Sequence, residues 1–245
     1  MIKGILFDYG GTIDTNGIHW AEVIWEHYRK YDLPVSKTDF IQAYRYGERT
    51  LAKNGIIEPS HGFCDVMIRK IKFQFEWLEK NGIPLPSSEI ASIAEDCTYF
   101  AEYAVATTLP ILKQLAAKYA LGVVSNFYGN LRTVLHDFGI LDLFDIIIES
   151  AASGVRKPDP HIYELGVQAL GYPATECVVV GDSFRNDIAP AIQAGCRAVW
   201  LKGTGFEGDE QAAYAPYRAN AVISDLADLL PALETIQKGP LHTTS

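Results

Sequence analysis

Short apolar runs and longer amphipathic ones alternate along most of this chain. Residues 3–8, 120–124, 144–148, 177–181 and 197–201, with 220–224 as a sixth, are brief runs rich in Val, Ile, Leu and Phe that read as strands. Their apolarity is continuous rather than alternating, which predicts strands covered on both faces. Helix patterns lie between them. Asn130 is placed to cap one that carries Leu131, Val134, Leu135 and Phe138 on one face and ends at Gly139. Asp159 and Pro160 open another, with Ile162, Leu165, Ala169 and Leu170, closed by Gly171. A third starts near Asp187 and ends at Gly195, with Pro190 tolerable only in its first turn. Strands alternating with helices predict an α/β fold built on a doubly wound parallel sheet.

Residues 15–107 break the alternation and read as helical throughout. Ile90, Ile93, Ala94, Cys97 and Ala101 form one stripe; Phe63, Met67, Ile71, Phe75 and Leu78 form another, with Phe73 and Trp77 on a second face. The expected organisation is therefore a core of residues 1–14 and 108–238, an inserted all-helical subdomain over 15–107, and a frayed tail at 239–245. Helix packing is the expected role of the insertion's aromatics, including Trp20, Trp25, Tyr44 and Tyr46.

At 245 residues and 48% hydrophobic content the chain can bury a full core. No apolar run nears the roughly 20 residues needed to cross a bilayer, and the first run lacks a basic leader, so a cytoplasmic protein with no membrane partner is expected. The net charge of −9 argues against nucleic acid as a partner, which calls for clustered Lys and Arg. Cys64, Cys97, Cys177 and Cys196 lie far apart and suggest neither disulfides nor zinc. The expected assembly is a monomer or a homodimer.

Ligands of a doubly wound sheet bind beyond the carboxyl ends of its strands. The first run ends in Asp8, the second in Ser125 and Asn126, and the third leads to "GVRKPDP" with Lys157; the fourth ends in "GDSFRND", with Asp182 and Asp187. Taken singly, Asp8 and Asp182 suit helix or turn caps, and Lys157 suits an exposed site before a helix. Taken together, carboxylates, a hydroxyl and a lysine gathered at one rim form a site for a hard divalent cation and a phosphate.

Four separated signatures in order, "FDYGGT" at 7–12, "VVSN" at 123–126, "RKPDPHIY" at 156–163 and "VGDSFRNDIAPAIQAG" at 180–195, resemble the haloacid dehalogenase superfamily. The helical insertion resembles that family's cap. The resemblance implies a Rossmann-like core and an aspartyl-phosphate formed on Asp8. It implies Mg²⁺ held by the Asp8 and Asp182 carboxylates and the Gly10 carbonyl. Ser125 and Asn126 would hold the phosphoryl group with Lys157, Thr12 would pin the turn after the nucleophile, and Asp187 would orient Lys157 or a metal-bound water from behind. The implied activity is hydrolysis of a small phosphorylated metabolite, with His19, Trp20, Arg45 and Arg49 as cap residues to test for substrate choice.

One position departs from the pattern. Most phosphatases of this superfamily carry a second aspartate two residues after the nucleophile as general acid and base; here that residue is Gly10. Asp14 is the nearest replacement. A catalytically weak phospho-ligand binder is a second reading. A 2-haloacid dehalogenase is a third, disfavoured because the metal carboxylate Asp182 is present. A phosphonatase would need a cap lysine forming an imine, for which Lys53, Lys70 or Lys72 carries no specific signal.

Overall fold

The computed structural model describes residues 1–53, 55–204 and 211–238; the expected tail at 239–245 lies outside these. Six strands, β1 (Gly4–Phe7), β2 (Ala120–Ser125), β3 (Ile146–Glu149), β4 (Cys177–Gly181), β5 (Arg197–Leu201) and β6 (Ala221–Ile223), form one parallel sheet in the order β3-β2-β1-β4-β5-β6. Four helices, α1 (Trp20–Lys30), α2 (Lys37–Leu51), α3 (Phe63–Lys80) and α4 (Glu89–Ala116), separate β1 from β2. Then come α5 (Leu131–Asp137), the short α6 (Ser150–Ser153), α7 (His161–Leu170), α8 (Ala189–Gln193) and α9 (Leu229–Lys238).

The continuous apolar runs have the expected cause. Ile5 and Phe7 of β1, with Leu121, Val123, Val178 and Val180, enter one core layer, while Leu6, Val124 and Val179 enter the layer on the opposite face. α7 and α8 cover that second face; the first is covered by α5, α9 and the end of α4. Both faces of the central strands are therefore dry. β3 is different: as an edge strand its Ile146, Ile147 and Ile148 are only half-buried. It also starts later than residue 144: the Asp145 N–H donates to the Leu121 carbonyl (2.8 Å), the Asp145 carboxylate accepts the Leu121 N–H (2.9 Å), and the ladder runs from Ile146.

Two further expectations change. Asn130 does stand before α5, but its side chain caps nothing; its amide donates to the His61 carbonyl (2.7 Å). The Glu149 carboxylate takes over the capping role, accepting from Gly129 N–H and from Leu131 N–H (3.4 Å). This is a carboxylate at a helix N-terminus, where charge and orphan donors both favour it. The residue 107/108 boundary falls inside α4, which runs unbroken through Pro110. The Thr107 and Thr108 hydroxyls bond back to the Ala104 and Val105 carbonyls just ahead of the proline (2.7 and 3.2 Å), and Leu112 and Leu115 bury toward the sheet. Pro190 sits in the first turn of α8, where it costs no hydrogen bond.

Candidate active site

The chain runs from β1 to β2 and β3 on one side of the sheet, then crosses to β4 on the other. The strand order therefore reverses between β1 and β4, where crevices form in such sheets. Asp8 and Asp182 lie just past the ends of those two strands. β1 enters a tight turn, Tyr9–Ile13, in which Gly11 has φ +97° and a Cβ would collide with the Asp182 carboxylate. Only glycine fits there. Gly10 is unlike its neighbour: its φ of −76° and ψ of 113° suit any residue, and an added Cβ would meet nothing nearer than Trp20 Cδ1 at 3.9 Å.

Lys157 Nζ lies 2.5 Å from Asp8 Oδ1 and 2.7 Å from Asp187 Oδ1, all three side chains being buried. Asp187 also accepts from the Tyr163 hydroxyl (2.8 Å) and Ser183 N–H (3.0 Å), so its position is set from three directions. Gly181 makes this approach achievable, since a Cβ there would lie 2.5 Å from the Asp187 Cβ and Cγ. Asn126 holds Lys157 by its backbone: its side-chain amide accepts the Lys157 N–H (2.9 Å) and donates to the Lys157 carbonyl (3.1 Å). Thr12 Oγ1 accepts the Asp182 N–H (3.1 Å) and lies 3.4 Å from Asp8 Oδ2, tying the turn to the fourth strand's end. Ser125 closes β2 and lines the same cavity.

Burial dominates the electrostatics. It pushes the Asp8 carboxyl up to about 6, against the pull of the Lys157 ammonium. Burial, then the charge of Asp8, drives Asp182 well above the usual carboxylate range. Burial opposes charge on Lys157 too, but Asp187 and Asp8 outweigh it and hold the ammonium above the lysine range. Three carboxylates with one lysine leave an excess of negative charge. Oxygens of Asp8, Asp182 and Asp187 lie within 4.8 Å of one another, a donor set that fits a hard divalent cation.

A cavity of about 410 Å³ extends from these groups to the helical insertion. His19 and Trp20 line it, as do Asp14 and Gly10; Arg45 and Arg49 are not among its lining residues. Asp14, the nearest replacement for a missing acid, is buried, accepts from Gly11 N–H (2.7 Å) and Trp20 Nε1–H (2.9 Å), and has its carboxyl pushed up to about 7 by burial. Trp20 therefore does more than pack between helices. Sequence reasoning gave no role to Tyr163, although it lies in the third signature, six residues after Lys157. Glu48 and Tyr128, which also line the cavity, carried no signal at all.

Comparison with known proteins gives the chain a family. A family model described as haloacid dehalogenase-like hydrolase matches residues 2–195. Glyceraldehyde 3-phosphate phosphatase of Pyrococcus furiosus is 29% identical over 95% of this chain and 93% of its own. Phosphoglycolate phosphatase of Yersinia pseudotuberculosis is 39% identical over 50% of this chain and 52% of its own. A solved L-2-haloacid dehalogenase superposes with a TM-score of 0.65 at 22% identity, over 95% of this chain and 99% of that one, which speaks to the fold alone. No helix among the described residues is long and apolar enough to cross a membrane. With the matched model spanning all four strand-end signatures, this chain belongs to the haloacid dehalogenase-like hydrolases.

Proposed function

We propose that the chain is a Mg²⁺-dependent phosphomonoester hydrolase, acting on a small phosphorylated metabolite through an aspartyl-phosphate on Asp8, with the helical insertion between β1 and β2 as the cap over the site. The observation that carries this reading is the buried Asp8–Lys157–Asp187 chain beside Asp182, at the switch point of the sheet. The names of its relatives, phosphatases of glyceraldehyde 3-phosphate and of phosphoglycolate, support a small phosphorylated substrate.

The Asp8 carboxylate attacks phosphorus, a bond to the carboxylate oxygen forming as the ester P–O bond breaks and the alkoxide departs; water then attacks phosphorus, the aspartyl-phosphate P–O bond breaks, and inorganic phosphate leaves with the Asp8 carboxylate restored. The Asp8 and Asp182 carboxylates and the Gly10 carbonyl would hold Mg²⁺, which when bound neutralises charge and orients the phosphoryl oxygens. Lys157 offsets charge on Asp8 and on the transferring group; Asn126, Asp187 and Tyr163 keep it aimed. Ser125 offers a hydroxyl to a phosphoryl oxygen. Gly10 supplies no proton, so the departing alkoxide takes its proton from water in the cleft, and turnover of poor leaving groups is slow.

The test is hydrolysis of a panel of small phosphomonoesters with Mg²⁺, which should stop on addition of EDTA and in Asp8→Asn. Gly10 also supports a second reading, a phospho-ligand binder: stabilisation by phosphate and Mg²⁺ without hydrolysis of any phosphomonoester would favour it. Asp182 beside Asp8 weighs against halide displacement at carbon, and 2-chloropropionate turnover that persists in EDTA would reverse that.

A further inference from the structure

The cavity has two ends, and the one formed by the insertion contains an ion pair that the chemistry above does not use. Lys70 of α3, itself buried, places Nζ 2.7 Å from Glu48 Oε1 of α2. The Tyr128 hydroxyl, from the loop after β2, donates to Glu48 Oε2 (2.9 Å), and the Lys70 ammonium lies 5.8 Å from the centroid of the Tyr128 ring. All three residues line the cavity together with His19 and Tyr44.

Resting on the phosphatase reading, we infer that this wall receives an uncharged, hydroxyl-bearing leaving group, so that preferred substrates are monoesters with no second anionic group. The charges in the wall cancel. Lys70 is matched by Glu48, and His19, whose Nδ1 accepts the Ala21 N–H (3.1 Å), adds none. Burial drives the His19 imidazole down to about 4, which keeps it neutral at physiological pH.

A carboxylate or second phosphate on the leaving group would need Lys70 to part from Glu48, and would leave two anions facing one cation in a desolvated wall. Separation would leave the buried Lys70 ammonium without its partner, which is strongly unfavourable. A hydroxyl makes no such demand. With Glu48 Oε1 against the Lys70 ammonium and Oε2 accepting from the Tyr128 hydroxyl, the wall offers a leaving group polar contacts but no net charge. The exposed Arg156 and Arg185 also line the cavity, but they belong to the segments that carry Lys157 and Asp182, not to the insertion.

The experiment compares glycerol 1-phosphate, whose leaving group is a neutral polyol, with 2-phosphoglycolate, whose leaving group carries a carboxylate. The wild-type kcat/KM ratio should favour glycerol 1-phosphate by roughly tenfold or more, within the range that one partly screened charge a few ångströms away is worth. Glu48→Gln leaves the Lys70 charge unbalanced and should move the ratio toward phosphoglycolate by about the same factor. The double variant Glu48→Gln/Lys70→Met restores a neutral wall and should return the preference to the neutral ester, so the inference stays testable if the single variant does not fold. A wild-type preference for phosphoglycolate, or a ratio unmoved by Glu48→Gln, overturns it. Calorimetric titration of Asp8→Asn with both esters in Mg²⁺ reads the same preference without turnover. Absence of hydrolysis would then sink the phosphatase reading, whereas binding that favours the carboxylate ester would sink the neutral wall.

Discussion

Restoring a carboxylate at position 10 isolates the role of the missing proton donor. Gly10 has backbone angles that an L-residue adopts without strain, and the nearest atom to a new Cβ is 3.9 Å away, at Trp20. Gly10→Asp should therefore leave the turn and the Gly10 carbonyl where they are, and place an acid in the cavity that Gly10 lines. A positioned acid or base contributes about 10²–10⁴-fold, which corresponds to roughly 3–5 kcal/mol of barrier. That gain belongs to alkyl phosphates, whose alkoxides need a proton to leave; p-nitrophenyl phosphate, with a stable phenolate, should gain little. The assay is kcat for both ester types with saturating Mg²⁺, for wild type, Gly10→Asp and Gly10→Asn. The asparagine variant has the same shape without a proton to give, and should show no gain. Equal gains for asparagine and aspartate, or equal gains on both ester types, would refute the argument.

Other consequences follow from the same geometry. Lys157→Met leaves Asp8 and Asp187 buried and unneutralised; a loss of about 3–5 kcal/mol in urea unfolding is expected, together with loss of turnover. Gly181→Ala touches no reacting group but pushes Asp187, and with it Lys157, off position, so kcat should fall at least about tenfold while Mg²⁺ still binds. The pH dependence of stability should reveal His19. Its folded value is depressed to about 4 from 6.5, so the unfolded chain binds more protons between these values, and its contribution is complete above pH 6.5 and lost as pH falls through 4. Between pH 7 and pH 4.5 the wild type should lose about 2 kcal/mol more than His19→Asn, which keeps a helix-capping acceptor; equal losses by urea titration would exclude the assignment.

The sequence by itself determined the sheet, its helices and the ends of the strands, because covered strands need unbroken apolar runs and a chain must turn where they stop. It also carried Asp8, Lys157, Asp182 and Asp187 as a set, since the segments that follow a sheet's strands gather at one rim. What it could not carry were relations between segments. Asn130 looks like a cap in isolation, yet Glu149, eighteen residues beyond the start of α5, fills that place because β3 lies alongside. Asp14 has the right chemistry to replace the absent acid, and only the packing shows it lining the cavity while it accepts from Gly11 and Trp20. Glu48, Lys70 and Tyr128 come from two helices and a loop, with no spacing that links them, and meet only when the insertion packs over the sheet. Local pattern encodes an element and its end. Which side chains share a charge, a hydrogen bond or a cavity is decided by packing, where burial makes a solitary charge or an unmet donor too costly to leave alone.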